Sequence, residues 1–174
     1  MPRKTSISSW SVRPLGFTEQ QERDRLDAVR MRVISAWKAK VEKRNNGEAL
    51  PEPPECYLAR KIYEYLCKMV QPHGGWRILE RIIEQSRSLD TGRYPIRGKP
   101  FKLGIVFFLG AEEGISKNCR SEWSDAMRYA YMHSVEPRNY VGFVKQVGLK
   151  RIRAKLENKD TVPGFNRSQM RDCP

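Results

Sequence analysis

The sequence contains no long hydrophobic run, and this absence bounds where the protein resides. No segment approaches the roughly eighteen consecutive apolar residues that a membrane-spanning helix needs. The first twenty residues also lack the continuous apolar stretch of a secretion signal. We therefore expect a cytoplasmic protein, associated with the nucleoid, or a nuclear protein if its source has a nucleus.

Cysteine is scarce, and its spacing excludes the usual zinc signatures. The four cysteines are Cys56, Cys67, Cys119 and Cys173, and they form no CxxC pair and no close CxH pair. We predict ordinary free thiols in a reducing compartment, with a disulfide or a metal site as the less favoured alternative. Neither a metal nor a cofactor is expected.

The motifs of common enzymes are also missing. The chain has no Walker loop, dinucleotide fingerprint, HExxH, nucleophile elbow or paired-carboxylate spacing. Of the two histidines, His73 stands beside Gly74 and Gly75 with no partner residue nearby in the sequence. We therefore predict a protein without catalytic activity.

One catalytic alternative remains at Arg128 and His133. Their R-x4-H spacing is similar to that of ribonucleases built on helical pairs. In that chemistry the arginine would steady a phosphate while the histidine takes a 2′-hydroxyl proton. With twenty arginines in the chain such a spacing arises readily by chance, and Tyr129 stands where a polar residue is usual. An ordinary histidine at a helix end is the favoured interpretation.

The composition itself indicates one folded domain with a strong basic surplus. The 174 residues are 39% hydrophobic, which is enough to bury a core without metals or disulfides. Lysine and arginine number 33 against 20 acidic residues, for a net charge of +13. The surplus comes from three stretches that contain no acid: 1–17, 93–104 and 137–155. This clustering favours nucleic acid as the partner, and no membrane association is expected.

Apolar periodicity predicts a mainly α-helical class. We expect a compact domain of about six helices over residues 18–157, between a flexible basic tail at 1–17 and a flexible C-terminal tail at 158–174. The first helix is long, 18–47, with an apolar row of Leu26, Val29, Val33, Trp37 and Val41. Three prolines in 48–54 follow it and would let it stand apart as an arm.

The middle of the chain predicts three further helices and one ambiguous segment. Helices are expected from about 55 to 70, from 76 to about 87 and from Ser121 onward. The inward row of the last is Trp123, Met127 or Ala126, Ala130 and Ser134. The segment LGIVFFLGA at 103–111 is apolar throughout, so periodicity does not decide its type. No second strand is evident to pair with it, and a helix is favoured over a short β-hairpin near 94–103.

Two basic helices are predicted after Pro137. Val141, Val144 and Val147 form the apolar row of the first, and Gly148 ends it in a positive-φ conformation. Leu149, Ile152 and Leu156 form the row of the second. The cations that cover the outer side are expected to contact phosphates: Lys145, Lys150, Arg151, Arg153 and Lys155, with Arg138 assisting.

The segment from Phe143 to Leu149 with its following basic helix resembles a helix-turn-helix motif over some twenty residues. It departs from that motif by placing Ile152 and Leu156 where exposed residues are expected, and by leaving almost no turn after Gly148. A helical hairpin with a basic edge is the favoured alternative.

A basic and aromatic loop is predicted to complete the footprint. The sequence LDTGRYPIRGKPFK at 89–102 contains two glycines and two prolines, so it does not form a regular helix. The residues expected to pair with phosphates and stack on bases are Arg93, Tyr94, Arg97, Lys99 and Lys102. The alternative is that Tyr94 and Phe101 anchor the loop to the core.

These features predict a non-catalytic nucleic-acid-binding protein, with DNA favoured over RNA as the partner. The rival hypothesis is an assembly subunit of a larger nucleoprotein complex. In that case the long first helix would form a homo-oligomer, or bind a protein partner, through residues 18–47.

Overall fold

The computed structural model describes residues 19–70, 76–85, 99–110 and 114–158. Within these ranges the chain forms α-helices and one 3-10 turn, with no strand, which confirms the mainly α-helical class. The helices are α1 (Glu19–Asn45), α2 (Pro54–Val70), α3 (Trp76–Gln85), α4 (Pro100–Leu109), α5 (Lys117–Met132), α6 (Tyr140–Val147) and α7 (Leu149–Glu157), and the 3-10 turn is Pro137–Asn139. The predicted N-terminal tail lies outside the described residues, as does the predicted C-terminal tail after Asn158.

The long helix α1 packs on the domain and is not a separate arm. Its residues Leu26, Val33 and Trp37 are buried, and the helix lies along α2 with further contacts to α3 and α4. The Arg30 side chain donates a hydrogen bond from Nε to the carbonyl oxygen of Phe108 at 3.2 Å. The prolines after α1 therefore serve to turn the chain back onto it.

The apolar segment near 103 is a helix at the centre of the core. Pro100 occupies the first turn of α4, and nearly all of the following side chains are buried, including Phe101, Phe107 and Phe108. A helix satisfies its own backbone groups, so it can be surrounded by protein without a partner strand. The hairpin alternative is wrong for residues 100–103, which are helical. None of the described helices is both long and apolar enough to cross a membrane.

Helix α4 approaches α2 closely because residue 104 has no side chain. Gly104 is buried against Leu66, which is itself fully buried. A Cβ atom at position 104 would lie only 2.5 Å from Cδ1 and 2.8 Å from Cγ of Leu66. Glycine is thus required here for packing, with no need for an unusual backbone conformation.

The start of α5 differs from the prediction. The helix begins at Lys117, four residues before Ser121, because Ser116 caps it by accepting a hydrogen bond from the Cys119 amide at 3.2 Å. Trp123, Met127 and Ala130 are buried as predicted. Ser134 is exposed beyond the helix end with φ of 53°, so its predicted inward position is wrong.

In α6 the buried row is aromatic. Tyr140 and Phe143 are fully buried, whereas the predicted row of Val141, Val144 and Val147 is half-buried and packs against the core less completely. The Tyr140 ring stacks on the ring of Tyr63 with centroids 4.6 Å apart, which fixes this face toward the core. The larger aromatic rings bury more apolar area than the valines and win the inward position.

The α6–α7 connection is a single residue. Gly148 has φ of 80° as predicted, and its amide donates to the Val144 carbonyl at 2.9 Å. A helix-turn-helix motif has a turn of about three or four residues instead. Ile152 is completely buried against the domain, as the predicted apolar row of α7 requires.

Candidate nucleic-acid interface

Helix α7 presents one buried side and one cationic side. Ile152 anchors it while α7 packs along α5. Lys150, Arg151 and Arg153 are exposed, and Lys155 is half-buried. Lys145 of α6 and Arg138 of the preceding 3-10 turn are exposed as well. All six cations predicted for 137–155 therefore reach the surface at least in part.

The cations of α1 and α2 form contacts with other side chains or carbonyl groups of the protein. Arg60 forms a two-point contact with Glu52 at 2.9 and 2.7 Å, and Arg44 pairs with Glu55 at 2.7 Å. The remaining cations of these two helices also contact another group: Arg23, Arg25, Arg30, Arg32, Lys38, Lys40, Lys43, Lys61 and Lys68. Much of the positive charge of α1 and α2 is therefore balanced by nearby carboxylates.

The cations of α6 and α7 differ in this respect. Lys145, Lys150, Arg151 and Lys155 form no hydrogen bond or ion pair with any residue that the structure describes. Two cations do have carboxylate partners: Arg138 with Glu136 at 2.6 Å, and Arg153 with Glu157 at 3.4 Å. Both of these pairs are exposed, and such pairs are weak and screened by salt. The surface therefore keeps most of its positive charge available to an external anion.

Asp125 connects part of the predicted loop to this surface. Burial raises the pKa of the Asp125 carboxyl, while the charges of Arg153, Arg128 and Lys102 act in the opposite direction. These three cations come from α7, α5 and α4, so Lys102 and Arg153 both act electrostatically on the same carboxylate. Asp125 is not among the predicted interface residues, because its local sequence does not show that cations from three helices lie near it.

The rest of the predicted loop is only partly described. Lys99 is exposed immediately before α4. Arg93, Tyr94 and Arg97 lie outside the described residues. Phe101 is buried in the core, and the centroid of its ring lies 5.5 Å from that of Tyr131. This agrees with the alternative prediction that Phe101 anchors the loop to the core.

Replacing Asp125 by asparagine should strengthen nucleic-acid binding. The substitution removes a negative charge from among Lys102, Arg128 and Arg153, and a single charge about 8 Å from a phosphate in water changes affinity by about two- to fivefold. The gain should shrink as the pH falls through the raised pKa of Asp125, because the wild-type carboxyl then becomes neutral too. Fluorescence anisotropy with a labelled oligonucleotide across a pH series measures both effects.

The matched control is Asp27→Asn, which makes the same change in net charge on α1. Equal gains in affinity for the two variants would show that only net charge matters and that Asp125 has no special place in the interface.

His133 lies at the C-terminal end of α5 in an arrangement that does not favour the ribonuclease alternative. Its Nε2 atom is buried without a hydrogen-bond partner among the described residues, and its ring packs 4.5 Å from the ring of Tyr129. Burial lowers the pKa of His133, and the charge of Lys155 lowers it further. Arg128 is exposed on the same helix. The Nε2 atom is therefore shielded from solvent in this conformation.

The described thiols are unpaired. Cys56, Cys67 and Cys119 are free, and Cys173 lies outside the described residues. Burial raises the pKa of Cys67 to about 11, so this thiol stays protonated at neutral pH. Within the described ranges no group of three or more His, Cys, Asp or Glu residues is placed to hold a metal ion.

A small apolar cleft lies beside the cations and was not predicted. It has a volume of about 120 Å³ and is formed where α2, α5, α6 and the start of α7 meet. Val141 and Val144 line it, which explains why these valines are only half-buried. Lys145 also lines the cleft. The competing Tyr140 and Phe143 pattern on the same helix is the sequence signal that could have revealed it.

No protein-family model matches this chain, and no curated protein and no solved structure is found to be similar to it. The chemistry of the described residues is therefore the basis on which a function can be proposed.

Proposed function

We propose that this protein is a non-catalytic nucleic-acid-binding protein, with DNA favoured over RNA, that contacts phosphates through α6 and α7. The observation that carries the proposal is the difference in charge pairing between the two sides of the chain. Every cation of α1 and α2 contacts another group of the protein, whereas Lys145, Lys150, Arg151 and Lys155 have no hydrogen-bond or ion-pair partner among the described residues. Unpaired surface cations attract polyanions because binding releases the counterions condensed on the phosphates.

The footprint extends from α7 toward the start of α4. Lys150, Arg151 and Arg153 form its centre, and Lys102 joins it near Asp125. Lys145 and Arg138 extend it along α6 and the preceding turn. Contacts of this kind involve backbone oxygens, not base edges, so the proposal includes no sequence specificity.

Affinity should fall steeply as salt is added. If six to eight phosphates of duplex DNA are neutralised, the logarithm of the association constant should decrease with the logarithm of salt concentration at a slope of about −5 to −7. The measurement is an anisotropy titration of labelled duplex DNA at several sodium chloride concentrations. Parallel titrations with single-stranded DNA and structured RNA establish which nucleic acid is preferred.

A slope near zero would contradict the proposal, since it would mean that few or no phosphates are contacted. Preference for structured RNA over DNA at every salt concentration would remove the DNA assignment and leave the phosphate contacts in place.

The assembly alternative lacks support from the position of α1. A homo-oligomer through residues 18–47 would use the apolar row of that helix, but Leu26, Val33 and Trp37 are buried inside the domain. Met31 is a large apolar side chain that remains exposed on α1, at 65%. A single residue of this kind does not make an apolar patch. Light scattering on the purified chain distinguishes the two hypotheses, because a stable dimer without DNA affinity would favour assembly.

A further inference from the structure

The cleft beside α6 has an apolar interior that is open to water. Its lining includes Ala59, Trp123, Tyr140, Val141, Val144 and Leu149. Of these, Val141, Val144 and Leu149 are half-buried, so part of their apolar surface faces solvent. Leaving apolar surface in water is unfavourable. Binding of a flat ring that covers this surface would therefore be favourable.

In the described part of the chain, the rim of this cleft carries one unpaired cation. Lys145 is exposed there and has no ion-pair partner among the described residues. The acid on the rim, Glu55, is already paired with Arg44 at 2.7 Å. Lys150, the residue after Leu149, is also exposed and has no ion-pair partner among the described residues.

From this combination we infer that the cleft receives one unpaired base of a DNA strand while Lys145 contacts a phosphate of the same strand. The inference rests on the proposed function and adds a ligand to it. An unpaired nucleotide has a flat base with two π faces and a polar edge, beside an anionic phosphate; the faces suit an apolar cleft, and the phosphate suits a cation next to it. Bases in single strands bind proteins by the same combination of ring contact and phosphate pairing.

The size of the cleft fits one ring system. Its volume of about 120 Å³ is well below the roughly 300 Å³ at which pockets for whole ligands begin. An enclosed apolar cavity of about 150 Å³ takes up benzene, so a slightly smaller cleft with an open mouth admits one planar ring, with its edge outside. A paired base inside a duplex is stacked on both faces and cannot enter without being flipped out.

The test measures the binding of three DNA ligands to the 174-residue chain. These are a single strand, an abasic strand with the same number of phosphates, and a duplex. The single strand should bind about tenfold more tightly than the abasic strand at equal salt, since one base contributes about that factor by ring contact. In protein labelled with 5-fluorotryptophan, the fluorine resonance of Trp123, assigned with Trp123→Phe, should move only when the single strand is added.

A matched pair of substitutions separates the cleft from the general charge of the surface. Val144→Phe fills the cleft with a ring, and should reduce the tenfold difference between the normal and abasic strands to less than twofold while leaving the salt slope intact. Val147→Phe adds the same ring on the same helix at a half-buried position that does not line the cleft, so the tenfold difference should persist.

The base site would be overturned by equal affinity for the normal and abasic strands together with a Trp123 resonance that does not move. If the salt slope is still steep in that case, the proposed function stands. A Trp123 resonance that moves equally with the duplex, or that depends on protein concentration because a second copy fills the cleft, would also overturn it. If none of the three ligands binds, both the inference and the proposed function fail.

Discussion

Replacing Gly104 by alanine should lower the free energy of unfolding by about 2–3 kcal/mol, even though alanine is a better helix former than glycine. The new methyl group would overlap Leu66, and Leu66 is fully buried and cannot move away. Overpacking of this kind outweighs the gain of about 1 kcal/mol from helix propensity. Urea denaturation followed by circular dichroism measures the difference between the two proteins.

Gly142→Ala is the matched control, because Gly142 is also a helical glycine but a Cβ atom there meets nothing within 4 Å. It should be neutral or should stabilise the protein by up to about 1 kcal/mol. In a Leu66→Ala background, Gly104→Ala should lose most of its effect, since the clashing atoms are gone. Equal destabilisation by Gly104→Ala in both backgrounds would show that the close approach of α4 to α2 is not the cause.

Reversing the charge of Lys150, Arg151 and Arg153 together to glutamate should weaken DNA binding by at least about 100-fold at moderate salt. The triple variant removes about three phosphate contacts and places three negative charges where the backbone would lie. All three residues are exposed and Ile152 remains in the core, so the domain should fold normally. Anisotropy gives the affinity, and circular dichroism checks the fold.

The control for this variant is the reversal of Arg25, Lys38 and Lys43, three exposed cations of α1. The net charge changes by the same amount, but these residues lie outside the proposed footprint, so the loss should stay below about tenfold. Comparable losses for the two triple variants would mean that DNA is attracted by net charge alone and that no surface is specific to α6 and α7.

The helical elements could largely be predicted from local sequence. Long apolar rows at helical spacing, such as Leu26 to Trp37, and punctuation by residues such as Gly148 are local signals. They located α1, α2, α6 and α7 closely. The predicted start of α5 was wrong, because the helix begins after its cap Ser116. The residues that follow Ser116 show no apolar pattern that would reveal a helix.

Local sequence could not predict which face of α6 is buried. Tyr140 with Phe143 and Val141 with Val144 are two rows on one short helix, and both have helical spacing. Only the position of Tyr63 on α2, which stacks on Tyr140, decides that the aromatic row turns inward. Val141 and Val144 are consequently left to line the cleft.

The sequence by itself determined the helical class, the basic surplus and the stretches in which that surplus is gathered, because these depend on composition and on spacing along the chain. Only the tertiary structure decided which cations have partners, that Lys102 and Arg153 both influence Asp125, and that an apolar cleft opens beside Lys145. Charge pairing and clefts depend on distances between helices that are far apart in sequence, and those distances exist only after the core around α4 has packed.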